Sequence, residues 1–201
     1  MAAIDDAEIH RIVQKVLGQL SGPTPAAAAP ATQPVNQEPA PAHQPELKGG
    51  VLKVVAIGAD HGGFELKENL RAYITELGFD VRDVGAYNKN SVDYPDFAHE
   101  VASRVASGKA WRGIMIDGAG IGSCIVANKV PGVRAGMAYD LSSAINSREH
   151  NDTNVLTLGA GLIGVNLARQ IVKTWLATEF GGGRHAPRVD KITAVEKQYL
   201  K

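Results

Sequence analysis

Apolar residues recur along this chain with two different periods, and the change of period divides it. Near the beginning, Ile9, Ile12, Val13, Val16, Leu17 and Leu20 fall at i, i+3, i+4, i+7, i+8 and i+11, the spacing of one apolar stripe on a helix. Asp5 and Asp6 stand where carboxylates favour a helix N-terminus. So short a helix is marginal alone in water, and its stripe calls for a partner, either the chain's own globular part or another protein. From residue 52 onward the pattern becomes an alternation of short β-branched runs and helical stretches. It predicts strands at 53–58, 80–84, 113–117, 133–137 and 155–158, and helices at 64–77, 95–107, 122–129, 141–149 and 163–178. Five strands alternating with helices imply an α/β fold in which a five-stranded parallel sheet is covered on both faces.

Composition sharpens the division. Residues 22–46 hold seven of the ten prolines among Ala, Gln and Thr, too little apolar surface to offset the entropy of ordering, so an extended linker without fixed structure is expected. Three segments result: an amphipathic helix over 1–21, a Pro/Ala-rich linker over 22–50 and a folded domain over 51–201. The 21 Lys and Arg balance 21 Asp and Glu, so no global field draws the chain to nucleic acid or an anionic membrane. There is no apolar run of the roughly 18 residues that a membrane helix needs, and the first residues lack the basic and apolar regions of a secretory signal. A cytoplasmic protein is expected. The single cysteine, Cys124, forms no internal disulfide and no thiolate zinc cluster. His10 and His43 stand far apart without neighbouring ligands, so no metal site is expected.

In parallel sheets, ligands bind where strands end and helices begin. Here those junctions read Ala59-Asp-His-Gly-Gly63, Asp117-Gly-Ala-Gly-Ile-Gly122 and Leu158-Gly-Ala-Gly161. Gly118, Gly120 and Gly122 allow backbone N–H groups to converge on an oxyanion, although the same glycines equally serve close strand-to-helix packing. Asp117, abutting them, is placed to remove a proton while the N–H groups receive the resulting negative charge. Asp60 and His61 close the first strand, and His150, Asn151 and Asp152 precede the last; a histidine in such turns either handles a ligand or bonds the backbone. Arg184 and Arg188, four apart after a run of glycines, would share one face if helical and could then hold a phosphate, or else stand in a solvated turn. Tyr94, in the turn before Pro95, either contacts a ligand or fixes the loop.

Six separated motifs, in order, resemble the ribose-5-phosphate isomerase B and galactose-6-phosphate isomerase family of sugar-phosphate isomerases. They are Gly58-Ala-Asp-His-Gly-Gly-Phe-Glu-Leu-Lys67, Val92-Asp-Tyr-Pro-Asp96, Gly118-Ala-Gly-Ile-Gly122, Ala127-Asn-Lys-Val-Pro-Gly-Val-Arg-Ala135, Arg148-Glu-His-Asn-Asp152, and Gly182-Gly-Arg-His185 with Arg188. The resemblance implies a Rossmann-like three-layer α/β/α sandwich, a homodimer or tetramer with shared active sites, and no metal or organic cofactor. It implies that Asp60, His61 and Tyr94 line the sugar site, that His150 helps open the sugar ring and that Asn151 binds hydroxyls. Arg184 and Arg188 would grip the phosphate from the neighbouring subunit, and the glycine loop would stabilise an enediolate. The implied reaction moves a proton between C2 and C1 of an open-chain aldose phosphate, with ribose 5-phosphate and ribulose 5-phosphate as the leading pair.

Three positions depart from the family pattern. Asp117 stands where the family commonly has a cysteine base, and some members place a glutamate base where this chain has Ser123, followed by Cys124. Asp117 and Cys124 are therefore both candidates for the base. Ala119 replaces a hydroxyl residue, and Gly161 replaces an arginine. These changes fit a retuned isomerase, one acting on another sugar phosphate, or a catalytically silent binding or scaffold protein. The helix and linker lie outside the family's core and resemble the encapsulation peptides that direct enzymes into bacterial microcompartments, which implies shell proteins as partners of residues 1–21.

Overall fold

In a computed structural model of the chain, the described residues are 7, 8, 10, 11, 13–15 and 53–200. The chain divides into two compact units, Met1–Ala42 and His43–Lys201. In the first, the described residues are helical and Val13 is exposed; Ile9, Ile12, Val16, Leu17 and Leu20 of the expected stripe, and the whole of the linker, lie outside the described residues.

The second unit carries five strands, β1 (Val54–Ala59), β2 (Asp80–Asp83), β3 (Arg112–Asp117), β4 (Ala135–Met137) and β5 (Val155–Gly159). All neighbours pair in parallel in the order β2-β1-β3-β5-β4. The helices are α1 (Phe64–Glu76), α2 (Tyr94–Ala106), α3 (Ile121–Ala127), α4 (Leu141–Glu149), α5 (Val165–Ala177) and α6 (Ala186–Tyr199), with one 3₁₀ turn at Gly183–His185. The three-layer arrangement follows from strict alternation along the strands. Val55, Ile57, Ile114, Ile116, Leu156 and Leu158 face one core, shared with Leu66, Leu70 and Ile74 of α1 and Ile171, Val172 and Trp175 of α5. Ala56, Met115 and Val155 point the other way, onto Ala98, Val101 and Val105 of α2 and Ala127 of α3.

The expected strands all form, with β4 confined to three residues. Before it, Arg134 N–H bonds the Asn154 side-chain oxygen at 2.8 Å instead of continuing a ladder. The last helix, α6, was not anticipated: it buries only Val189 and leaves Ile192, Val195 and Tyr199 exposed, so its sequence carries no clear apolar stripe. No helix among the described residues is long and apolar enough to cross a membrane.

Strand order fixes where a site can form. From β1 the chain steps outward to β2, then crosses over to β3 on β1's other side, so the connections after β1 and β3 leave in opposite directions and open a crevice at the carboxyl ends of these neighbours. Asp60 and Asp117 follow and end those two strands.

Candidate active site

Asp117 ends β3 at 5% exposure, where a lone carboxylate would be costly. Its loop supplies the compensation. One carboxylate oxygen accepts from Ala119 N–H at 2.8 Å and from Gly120 N–H. The other accepts from Ser123 N–H at 3.1 Å and from the buried Ser123 hydroxyl. Gly120 reaches this geometry at φ 79°, a conformation that glycine adopts without steric cost. The converging N–H groups expected from the glycines are present, and in this loop they converge on Asp117. Gly161, where the family often has arginine, donates its N–H to Gly118 O at 3.0 Å, so the β5 junction closes against the same loop.

The β1 junction and the loop before α2 join this loop. Asp60, buried, accepts from Gly63 N–H at 2.8 Å and so turns the chain into α1. His61 Nδ1 lies 3.3 Å from Val92 N and 3.2 Å from Val92 O, accepting from one or donating to the other according to tautomer. That contact ties the first junction to the loop leading into α2, whose first residue is Tyr94. The Tyr94 ring lies so close over Gly122 that a Cβ there would come within 2.5 to 2.6 Å of the phenol; only glycine admits the ring. Asp60, His61, Tyr94, Asp117, Gly118, Gly120 and Gly122 thus form one group.

His150, Asn151, Arg184 and Arg188 form another. The box at the start of α4, in which Asp140 accepts from Ser143 N–H at 2.6 Å, sets the helix register, and His150 follows its last turn. His150 Nδ1 lies 2.8 Å from the Asn146 amide nitrogen, so that nitrogen accepts and Nε2 carries the proton of the neutral ring. The ring stacks on His185 with centroids 4.1 Å apart and planes 9° apart. His185 is buried, and Arg184 Nε donates to its Nε2 at 3.3 Å. Burial, and then the charges of His150, Arg184 and Arg188, hold the His185 imidazole below its ordinary range, favouring the neutral form. Asn151 donates to Asn146 at 3.3 Å, and both line a cleft of about 600 Å³ with Asn128, Arg134 and Ser143. Gly181 N–H to Glu149 O, at 2.9 Å, brings the arginine segment to this turn.

Among the described residues, no hydrogen bond, ion pair or ring contact joins the two groups. His185, Asn146 and Ser123 were not singled out for these contacts by sequence reading. The i, i+4 spacing of Asn146 and His150 was a signal for one of them; the stacking of His185 on His150 had none. Cys124 points its thiol at Ala135 O, 3.5 Å away. Burial pushes that thiol up from its ordinary value, the nearby Asp117 charge adding to the effect while contacts with Thr157, Met137 and Asn128 oppose it, so the protonated form dominates at neutral pH. No group of three or more His, Cys, Asp or Glu side chains suited to a metal ion occurs among the described residues.

Known proteins are similar to this chain in sequence and fold. Residues 55–192 match the family model described as Ribose/Galactose Isomerase. Ribose-5-phosphate isomerase B of Escherichia coli is 45% identical over 147 residues, covering 73% of this chain and 99% of the relative. D-erythrulose-4-phosphate isomerase of Pectobacterium atrosepticum is 43% identical over 146 residues, covering 72% and 95%. The solved structure of Clostridium thermocellum ribose-5-phosphate isomerase B is 50% identical, with a TM-score of 0.72 over 73% of this chain and 99% of that one. The segments around Asp60-His61, Tyr94 and Gly118–Gly122, far apart in the sequence, meet near the ends of β1 and β3, and with residues 55–192 matching its model the chain belongs to the ribose/galactose isomerase family.

Proposed function

We propose that this protein interconverts ribose 5-phosphate and ribulose 5-phosphate through a cis-enediol, in homodimers whose two sites each draw on both subunits. Family membership supports the reaction, and one observation supports the shared site: among the described residues, no hydrogen bond, ion pair or ring contact joins the group around Asp117 to the group around His150. Each is half a site. Exposed apolar side chains on three helices, Ile121 and Ile125 of α3, Leu141 and Ile145 of α4, and Ile192 and Val195 of α6, offer the surface such an assembly would cover.

In this reading Arg184 and Arg188 of one subunit hold the phosphate, and the Nε2–H of His150 hydrogen-bonds the ring oxygen as the sugar opens, the ring oxygen gaining a proton as the anomeric hydroxyl loses one. Asn151 bonds hydroxyls. Asp60, His61 and Tyr94 of the other subunit border the sugar, and Asp117 takes the proton from C2 and returns it to C1 while the O2 hydroxyl proton passes to O1. Both Asp117 oxygens are already fully engaged by donors, so one must yield, and the rotatable Ser123 hydroxyl is the donor best able to do so. Once Asp117 holds the proton, its grip on the Ala119 and Gly120 N–H groups weakens, and the oxyanion of the enediolate becomes the stronger acceptor for them.

Asp117, Ala119 and Gly161 favour a second reading, the same chemistry on another sugar phosphate, and a family relative is named for a four-carbon substrate. Assay of the purified protein against ribose 5-phosphate, erythrulose 4-phosphate and several hexose and deoxy-sugar phosphates decides between them; turnover of none would leave a silent binding protein. Residues 1–21 act as an encapsulation peptide in this proposal, supported by the apolar stripe in the sequence and by exposed Val13 on a helical stretch. A fluorescent protein bearing residues 1–25 should then associate with microcompartment shell, and a chain starting near Gly50 should keep its turnover and melting temperature. Loss of folding on that truncation would defeat the targeting role.

A further inference from the structure

Asp152 follows directly on the His150–Asn151 pair and adopts φ 47°, the one positive value among the described non-glycine residues. A side chain in the left-handed region persists where its surroundings over-determine it. Here they do. Arg134, just before β4, donates from Nη2 to one Asp152 carboxylate oxygen at 2.7 Å and from Nε to the carbonyls of Asn151 and Asp152 at 3.2 and 3.0 Å. Arg148, in the last turn of α4, donates from Nη1 to the other carboxylate oxygen at 2.8 Å and to Thr153 O. Arg148 is in turn fixed by Thr178 O, beyond the end of α5, at 3.2 Å, and its side chain is only 5% exposed.

We propose that Asp152 is a positioning residue for the proposed reaction: clamped between Arg134 and Arg148, it sets the direction in which His150 and Asn151 meet the sugar. The argument rests on the reading that this pair belongs to the site. The carbonyls of Asn151, Asp152 and Thr153 and both Asp152 carboxylate oxygens are held by the two guanidiniums, and charge-assisted contacts of this kind are short and directional. The phosphate-binding arginines are not held by this clamp. Arg184 and Arg188 follow from the 3₁₀ turn and α6, and no hydrogen bond or ion pair joins either of them to Asp152, Arg134 or Arg148. Loss of the clamp should thus affect the sugar end of the site and spare the phosphate end.

Asp152→Asn separates the two functions, because asparagine has the same shape and tolerates the left-handed region while losing the charge that engages both arginines. For ribose 5-phosphate turnover, kcat should fall on the order of 10- to 100-fold, the scale of a misplaced reacting group. Competitive inhibition by inorganic phosphate should stay within about two-fold of the parent, since it reports the arginines alone. Arg134→Gln, which leaves the Arg148–Asp152 pair in place, should show the same split at smaller size and keeps the test open if Asp152→Asn folds poorly. Unchanged kcat in both variants would overturn the proposal, as would phosphate inhibition weakening in step with kcat, which would mark a general loosening of the domain. His150→Ala tests the underlying reading separately: a fully active variant would remove the pair from the site and the positioning role with it.

Discussion

The loop after β3 and the turn after α4 each centre on one aspartate, and they stabilise it by opposite means. Asp117 is buried and its charge is met by neutral donors, three backbone N–H groups and one hydroxyl, all within six residues of it. Asp152 is a third exposed and its charge is met by two guanidiniums from different elements. Dipoles leave a net negative charge in place, available to accept a proton; paired cations cancel it and leave a rigid support. The first suits a group that reacts, the second a group that holds others. The difference also separates the halves of the proposed site by charge, one acidic and one carrying Arg184, Arg188 and the histidine pair.

The sharpest way to break this comparison is to neutralise Asp117. Asp117→Asn should lower kcat by at least about 10²-fold, the lower end of what a lost general base costs, with little change in substrate binding, while Cys124→Ala keeps most of its activity because that thiol is held protonated. Full activity in the first and loss in the second would make the thiol the base and reduce Asp117 to a loop anchor. Next in size is a mixing experiment. Asp117→Asn and Arg184→Ala subunits, unfolded and refolded together in equal amounts and assayed at substrate well below the KM of the Arg184→Ala protein, should recover about one quarter of parental activity, because half of the dimers are mixed and each has one intact site. No recovery would mean that each subunit builds its site alone.

Arg188→Ala should raise KM more than it lowers kcat, by roughly 10- to 100-fold, as expected for a lost charge-assisted contact worth about 1.5–3 kcal/mol. Gly161 in place of an arginine leaves little redundancy. A KM equal to the parent's would take Arg188 out of the site. The smallest effect is on stability. His185 is held below its ordinary value of 6.5, so below that pH the unfolded chain binds a proton that the folded chain resists, and stability present at neutral pH is lost as pH falls through the folded value. His185→Gln should flatten the decline in melting temperature between pH 7 and pH 5. An unchanged slope would show that the His150–His185 stack tolerates a second charge.

Much of this molecule is legible in one dimension. The alternation of apolar runs sets five strands, because each central strand must present apolar groups to helices on both faces. The glycines after β3 announce a loop of converging N–H groups, because no other residue fits beside Tyr94 or adopts the backbone at Gly120. Family membership is equally readable, since motifs such as Asp60-His61 and His150-Asn151-Asp152 are local in sequence. What the sequence could not determine is pairing across distance. Strand order β2-β1-β3-β5-β4 depends on how crossovers pack, and it alone brings the Asp60 and Asp117 junctions side by side. That the N–H groups of the glycine loop bond Asp117, that His185 stacks on His150 across 35 residues of chain, and that Arg134 and Arg148 reach Asp152 from separate elements are results of packing. Each depends on side chains finding partners only after the sheet has set their distances, and a linear pattern carries no record of distance.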